Sequence, residues 1–110
     1  MEENMKYEIK LWFDFGGFCL WSMNDNAKKR YNYAIELQKL ELSNQLESKL
    51  NELQREYETY LDMSNPTAPT SWSDEKKNKF LKRSLEVSQE LQKELGSDFY
   101  IVNEVKKNIF

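Results

Sequence analysis

The chain alternates apolar and polar side chains near its beginning. From residue 5 to residue 14, Tyr7, Ile9 and Leu11 fall on one side of an extended backbone and charged side chains fall on the other. A period of two in such residues predicts a strand with one buried face. The same reasoning predicts a strand over residues 98–105. Because each strand alone would leave an apolar edge unpaired, we expect the two to be neighbours in one sheet.

Two longer segments between them repeat apolar side chains every three or four positions. Residues 44–62 do so with leucine and tyrosine, and residues 74–95 do so with phenylalanine, leucine and valine. Such a stripe predicts an amphipathic helix. Ser43 and Ser73 precede the two segments, where a hydroxyl accepts hydrogen bonds from first-turn amides. Gly96 stands where a glycine commonly ends a helix. The predicted buried side of the second helix consists of Phe80, Leu81, Leu85, Val87, Leu91 and Leu95.

The connector between the helices is short and stiff. Residues 65–73 contain both prolines of the chain and the aromatic side chain of Trp72. Proline restricts the backbone, so the connector fixes how the two helices meet. We expect Trp72 to pin the connector to the core.

The order of these elements predicts an α+β fold in a single domain, residues 1–110. A small β-sheet contains the terminal strands, at about 5–14 and 98–105. A two-helix hairpin, at about 44–62 and 74–95, covers that sheet.

Four other segments have weaker patterns. Asp14 precedes two glycines, which permit a sharp reversal of the chain, and it either caps this turn or holds a ligand. Residues 18–21 fit a brief second strand or a loop. Residues 31–42 fit a short strand and a helical turn equally, so we treat them as irregular. We expect the tail, residues 106–110, to fray.

Composition narrows the class of protein. Charged residues make up 32% and the mean hydropathy is −0.86, which excludes a chain buried in a membrane. Aromatic residues make up 14%, enough to build a core and exclude disorder. The acidic start is not followed by an apolar run, so we expect no secretion signal. The single cysteine, Cys19, cannot form an internal disulfide, so the cytoplasm is the expected location.

The sequence offers little for catalysis. Histidine is absent, which removes the commonest general base and the commonest metal ligand. No glycine-rich phosphate loop occurs, and glutamate pairs along one helix are ordinary surface residues. Cys19 has no histidine to activate it, so a buried structural thiol is expected. We therefore predict that the protein is not an enzyme and has no catalytic, cofactor or metal site.

Charge is distributed unevenly along the chain. The net charge of −3 and the pI of about 5.1 disfavour nucleic-acid binding. Residues 36–62 carry seven acids and three bases, net −4, whereas residues 74–94 carry five acids and six bases, net +1. The two helices attract each other, or the acidic helix faces a basic protein partner, or its charges are only solvated. The predicted partner-binding residues are Glu47, Glu52, Glu56, Asp62 and the aromatic Trp12.

A set of short motifs follows a fixed order over most of residues 5–104. They are IKLWFDF (9–15), CLWS (19–22), LELSNQL (40–46), NPTAPTSWS (65–73) and LQKELGSDF (91–99). The ordered set resembles a group of small bacterial cytosolic proteins that look like immunity proteins of polymorphic-toxin systems. The resemblance implies a protein that blocks a cognate toxin domain by occlusion. The alternative is a structural or assembly protein that forms a homodimer.

Overall fold

A computed structural model of the protein describes residues 6–62 and 64–110. The chain forms three strands, four α-helices and one 3₁₀ helix within these ranges. In chain order they are β1 (Tyr7–Leu11), β2 (Leu20–Ser22), α1 (Asp25–Tyr31), a 3₁₀ helix (Leu37–Leu40), α2 (Asn44–Tyr57), α3 (Asp74–Leu95), β3 (Phe99–Asn103) and α4 (Lys106–Ile109). The predicted α+β class is confirmed.

The three strands form one sheet in the order β2-β1-β3. β1 pairs antiparallel with β2 and parallel with β3, so the two terminal strands are neighbours as predicted. Both are shorter than predicted, and Met5, the first residue of the predicted β1, lies outside the described residues. β1 ends at Leu11, although the Trp12 amide still donates across the hairpin to the carbonyl of Cys19, at 3.0 Å. The Phe13 amide donates to the side chain of Asn108, at 2.9 Å.

The two long helices begin where the serines predict. The hydroxyl of Ser43 accepts from Leu46 N, and that of Ser73 accepts from Lys76 N. α3 has the predicted bounds, but α2 ends at Tyr57 rather than at residue 62. Beyond it, the amides of Thr59 and Tyr60 bond to carbonyls only three residues back, which tightens the chain into a turn.

The core lies between one face of the sheet and the helices. Ile9, Leu11 and Phe13 have no exposed surface, which confirms the predicted alternation. Ser84 and Ser88 on α3 are buried, and the amide of Asn103 on β3 reaches both hydroxyls, at 3.3 and 3.4 Å. Small side chains at these positions let α3 lie close to β3.

One predicted core position is wrong. Leu85 is 46% exposed. At about 100° per residue it lies roughly 140° around the helix from Phe80, whereas Val87 and Leu91 lie within about 20° of Phe80. A stripe that includes every apolar residue of the segment was therefore too wide.

The segment from residue 24 to residue 42 contains more structure than its pattern predicts. α1 forms over the polar run that ends at Tyr31, capped by the side chain of Asn24. Ala34 then makes an isolated antiparallel bridge with Trp21, and the 3₁₀ helix follows. Of the two alternatives for residues 31–42, the helical turn forms as the 3₁₀ helix, whereas Ala34 makes a single bridge rather than a strand.

The tail is ordered, so the prediction that it frays is wrong. Ile109 is 1% exposed, and burial of an isoleucine contributes about 1.5–3 kcal/mol. The amide of Asn108 accepts from Phe13 N and donates to Phe13 O, at 2.9 and 2.7 Å. The short helix α4 thus continues the hydrogen bonding of β1 with a side chain.

The connector before α3 is fixed to the core as predicted. Trp72 is 6% exposed, and its ring meets Tyr60 and Phe80 edge-on at centroid distances of 5.4 and 5.1 Å. Its indole N–H donates to the hydroxyl of Thr59. Within residues 6–62 and 64–110, no helix has the length and apolar character to span a bilayer.

Candidate partner-binding surface

Polar contacts join α2 to α3 along the outer side of the hairpin. Lys49 pairs with Glu90 at 3.0 Å, and Arg83 pairs with Glu56. At one end, Glu94 accepts from both the backbone amide and the hydroxyl of Ser43, at 2.9 and 2.6 Å. The interpretation that the two helices attract each other is supported, because each contact crosses between them.

A shallow groove of about 220 Å³ runs between these contacts. We call it the hairpin groove, and its lining consists of Lys49, Glu52, Leu53, Arg83, Glu86, Val87 and Glu90. Leu53 and Val87 are nearly fully buried and form an apolar floor. Glu52 and Glu86, one from each helix, make no ion pair or hydrogen bond with a described residue. The groove therefore presents two free carboxylates beside two paired cations.

Glu47 lies on the opposite flank of α2 and lines a second depression. We call this the turn pocket, about 230 Å³, formed by residues 17–19, residues 35–38 and the α2 side chains Glu47, Asn51 and Gln54. Glu47 makes no ion pair or hydrogen bond with a described residue. The structure thus separates Glu47 from Glu52, because five positions along a helix turn the side chain by about 140°.

Gln54 forms the deepest polar part of the turn pocket. It is 7% exposed, and its amide nitrogen donates to the carbonyl of Asp14 at 2.7 Å and to the carboxylate of Glu58 at 3.1 Å. Its Oε1 atom is the one buried side-chain polar atom, among the residues described, that has no hydrogen-bond partner. A buried acceptor without a hydrogen bond lowers the stability of the fold by about 1–3 kcal/mol.

Cys19 lines the turn pocket, and Asp14 lies in the turn just before it. Asp14 Oδ1 accepts from the amides of Gly16 and Phe18, which confirms that it caps the turn after β1. Cys19 is 4% exposed, and burial, with a smaller contribution from the charge of Asp14, raises the pKa of its thiol to about 12. A thiol of that pKa is a poor nucleophile at neutral pH, as expected of a structural cysteine.

Asp62 and Trp12 lie away from both depressions. Asp62 accepts from the amide and hydroxyl of Ser64, and these bonds lower the pKa of its carboxyl. Trp12 lies on the sheet face opposite the helices, where its carbonyl accepts from the indole N–H of Trp21 at 2.7 Å. The exposed Tyr33 and Tyr100 share that face. We call these four residues the aromatic face.

No group of three or more histidine, cysteine, aspartate or glutamate residues within 6–62 and 64–110 converges to hold a metal ion. The surface has free carboxylates, two of them above the apolar floor of the hairpin groove, and exposed aromatic rings. Such a surface suits contacts to another protein.

A protein-family model described as Serratia CdiI immunity protein-like matches residues 7–104. The chain belongs to this family. The matched range runs from the first residue of β1 to just beyond β3, so it contains both depressions and the aromatic face. The resemblance to immunity proteins of polymorphic-toxin systems, predicted from the ordered motifs, is confirmed. A search of curated proteins finds no match.

Sequence reasoning about this immunity-protein-like chain missed two residues of the surface. Glu86 was dismissed as an ordinary surface residue, yet it faces Glu52 across the hairpin groove. Gln54 was overlooked because glutamine is polar and was not counted with the apolar stripe. Its position gave one signal: Gln54 lies about 40° around the helix from Leu50 and so belongs to the buried side.

Proposed function

We propose that this protein binds a bacterial toxin domain and blocks it by occlusion. Membership of the immunity-protein-like family over residues 7–104 carries the proposal. The surface is consistent with it, since carboxylates and aromatic rings are exposed on a framework that is otherwise well packed. The proposal includes a cytoplasmic location and the absence of catalytic activity.

Within the predicted contact set, the hairpin groove is the best candidate for meeting a basic toxin surface. Glu52 is free, and the structure adds the free Glu86 opposite it. Glu56 is already paired with Arg83, and Asp62 is held by Ser64, so these two carboxylates have less to offer a partner. A lysine or arginine of the toxin would lie between Glu52 and Glu86 with its stem on the apolar floor.

Co-purification with the product of the adjacent gene tests the function. We expect a stable complex, and we expect the double variant E52K/E86K to weaken it by more than about tenfold, because like charges would then meet. The matched control is D25K/D98K, which makes the same change of net charge at exposed positions that line neither the hairpin groove nor the turn pocket. If no adjacent product binds the protein, the proposed function is wrong.

A second candidate function, homodimer assembly, is favoured by the aromatic face. Tyr33 and Tyr100 are 54% and 60% exposed, and tyrosine is enriched at protein interfaces. Sedimentation at micromolar concentration distinguishes the candidates. A wild-type dimer that dissociates in the variant Y33S/Y100S would support assembly. A wild-type protein that sediments as a monomer would rule out this second function.

A further inference from the structure

The turn pocket contains a hydrogen-bond acceptor that the folded chain leaves unused. Gln54 is more than nine-tenths buried, and its Oε1 receives no hydrogen bond from any described residue. Its own fold does not satisfy this atom, although buried polar groups in proteins are almost always paired. This unpaired oxygen therefore suggests that a hydrogen-bond donor from another molecule binds here.

The orientation of the Gln54 amide is fixed by its surroundings. Its nitrogen donates to Asp14 O and to Glu58 Oε2, both of which are acceptors. A flipped amide would put an oxygen against these two oxygens and would lose both bonds. Oε1 consequently stays where no donor from residues 6–62 or 64–110 bonds to it.

Charge in the turn pocket favours a cationic donor. Glu47 in its lining makes no ion pair with a described residue, and none of the described lining residues is a lysine or arginine. The other carboxylate of the lining, Glu36, pairs with the exposed Lys39 at 3.9 Å. An ion pair this exposed contributes little free energy. The hairpin groove differs, because Lys49 and Arg83 already lie beside its carboxylates.

Size and access fit one side chain rather than a large ligand. The volume of about 230 Å³ admits a single lysine or arginine side chain. Oε1 itself has less than 1 Å² exposed, so a side chain at the rim must move before a donor reaches it. Gln38 and Asn51 are exposed rim residues without a hydrogen bond to a described residue, so they can change rotamer.

We propose that the turn pocket receives one basic side chain of the partner protein, which donates to Gln54 Oε1 and pairs with Glu47. The identity of that partner as a toxin rests on the proposed function, but the chemistry of the pocket does not. An ammonium or guanidinium group satisfies the orphan acceptor and the free carboxylate together.

Titration with small mimics of the basic side chains tests this without any toxin. The probes are ethylguanidinium and propylammonium, with neutral ethylurea as the matched control, and the readout is the NMR spectrum of the protein labelled with ¹⁵N. We expect saturable shifts of the Gln54 side-chain amide and of the Gly17 and Asn51 backbone amides at millimolar concentration. Equal binding of ethylurea would overturn the requirement for a cation.

Variants assign the effect to this pocket. E47Q should weaken binding of both cationic probes about tenfold, because it removes the charge-assisted partner. E75Q removes one carboxylate charge at an exposed position outside both depressions and should leave the affinity unchanged. If neither probe shifts the Gln54 amide, or if E75Q reduces binding as much as E47Q, the inference is wrong. The proposed function would still stand if the adjacent gene product forms a complex.

Discussion

The hairpin groove and the turn pocket lie on opposite flanks of the same helix, and their volumes are nearly equal, about 220 and 230 Å³. In the groove, the carboxylates of α2 face α3, which brings Lys49 and Arg83 within ion-pair range of acids on the other helix. In the pocket, α2 faces a turn and a 3₁₀ helix, whose lining residues carry no basic side chain. The neighbouring element therefore decides how much of the acidic charge of α2 is paired within the fold: Glu56 is paired on the side of the groove, whereas Glu47 has no basic neighbour in the lining of the pocket.

The largest expected effect is on the alkylation rate of Cys19, which lines the turn pocket. At a pKa of about 12, only about one Cys19 thiol in ten thousand is ionised at pH 8, against about one in ten at the ordinary value of 9.0. We therefore expect alkylation by iodoacetamide at pH 8 to be at least about a thousandfold slower in the folded protein than in urea. Mass spectrometry measures both rates. Rapid alkylation of the folded protein would show that the pocket opens freely.

Substitutions between glutamine and glutamate should change the free energy of unfolding much more in the turn pocket than in the hairpin groove. Q54E places a charge against the Asp14 carbonyl and the Glu58 carboxylate, so we expect the free energy of unfolding at pH 7 to fall by about 3–5 kcal/mol. E52Q, in the hairpin groove, should change it by less than about 0.5 kcal/mol. Urea denaturation measures both values. Equal effects would mean that the two sites do not differ in burial as described.

Loss of the hydrogen bonds from the tail should disturb the turn pocket and leave the hairpin groove unchanged. N108A removes two hydrogen bonds to Phe13, the residue next to Asp14, and we expect a loss of about 1–3 kcal/mol. The side-chain amide signal of Gln54 should also shift, while the backbone amides of Glu52 and Glu86 should not. N44A, an exposed asparagine in the first turn of α2, is a control with little expected effect. A response confined to the groove would contradict this.

The ion pair between the helices should contribute little to stability. A double-mutant cycle with E56Q and R83Q should give a coupling energy of about 0.2–1 kcal/mol, and less at high salt, because the Arg83 side chain is half exposed. Thermal or urea unfolding of the four proteins measures it. A coupling above about 2 kcal/mol would mean that the Glu56–Arg83 pair is less exposed to solvent than the structure indicates.

The smallest effect should be the pH dependence of the contact at the end of the groove. Hydrogen bonds from the hydroxyl and amide of Ser43 lower the pKa of Glu94 below its ordinary value of 4.5. The contact therefore stabilises the fold above pH 4.5 and is lost as pH falls through the lowered pKa. The wild type should lose slightly more stability than E94Q between pH 5 and pH 2. Parallel pH profiles for the two proteins would contradict the assignment.

Much of the framework was predictable because its signals are local. The period of two in β1, the caps at Ser43 and Ser73 and the glycine at position 96 each depend on neighbouring residues, and the structure confirms them. α1 and α4 were missed because their stretches are short and polar, and the packing of Tyr31 and Ile109 against the core stabilises them. The end of α2 was misplaced because Tyr57 is followed by further apolar residues that pack as a turn.

By itself, the sequence determined the α+β class, the pairing of the terminal strands, the helical hairpin, the caps and the family resemblance. Only the tertiary structure decided which acids are free, since Glu52 and Glu56 differ in whether Arg83 lies within reach. It also decided that Gln54 is buried with an unused acceptor and that Asn108 closes the end of β1. The physical reason is distance along the chain. Periodicity and capping act over a few residues, whereas charge pairing and burial depend on segments that only folding brings together.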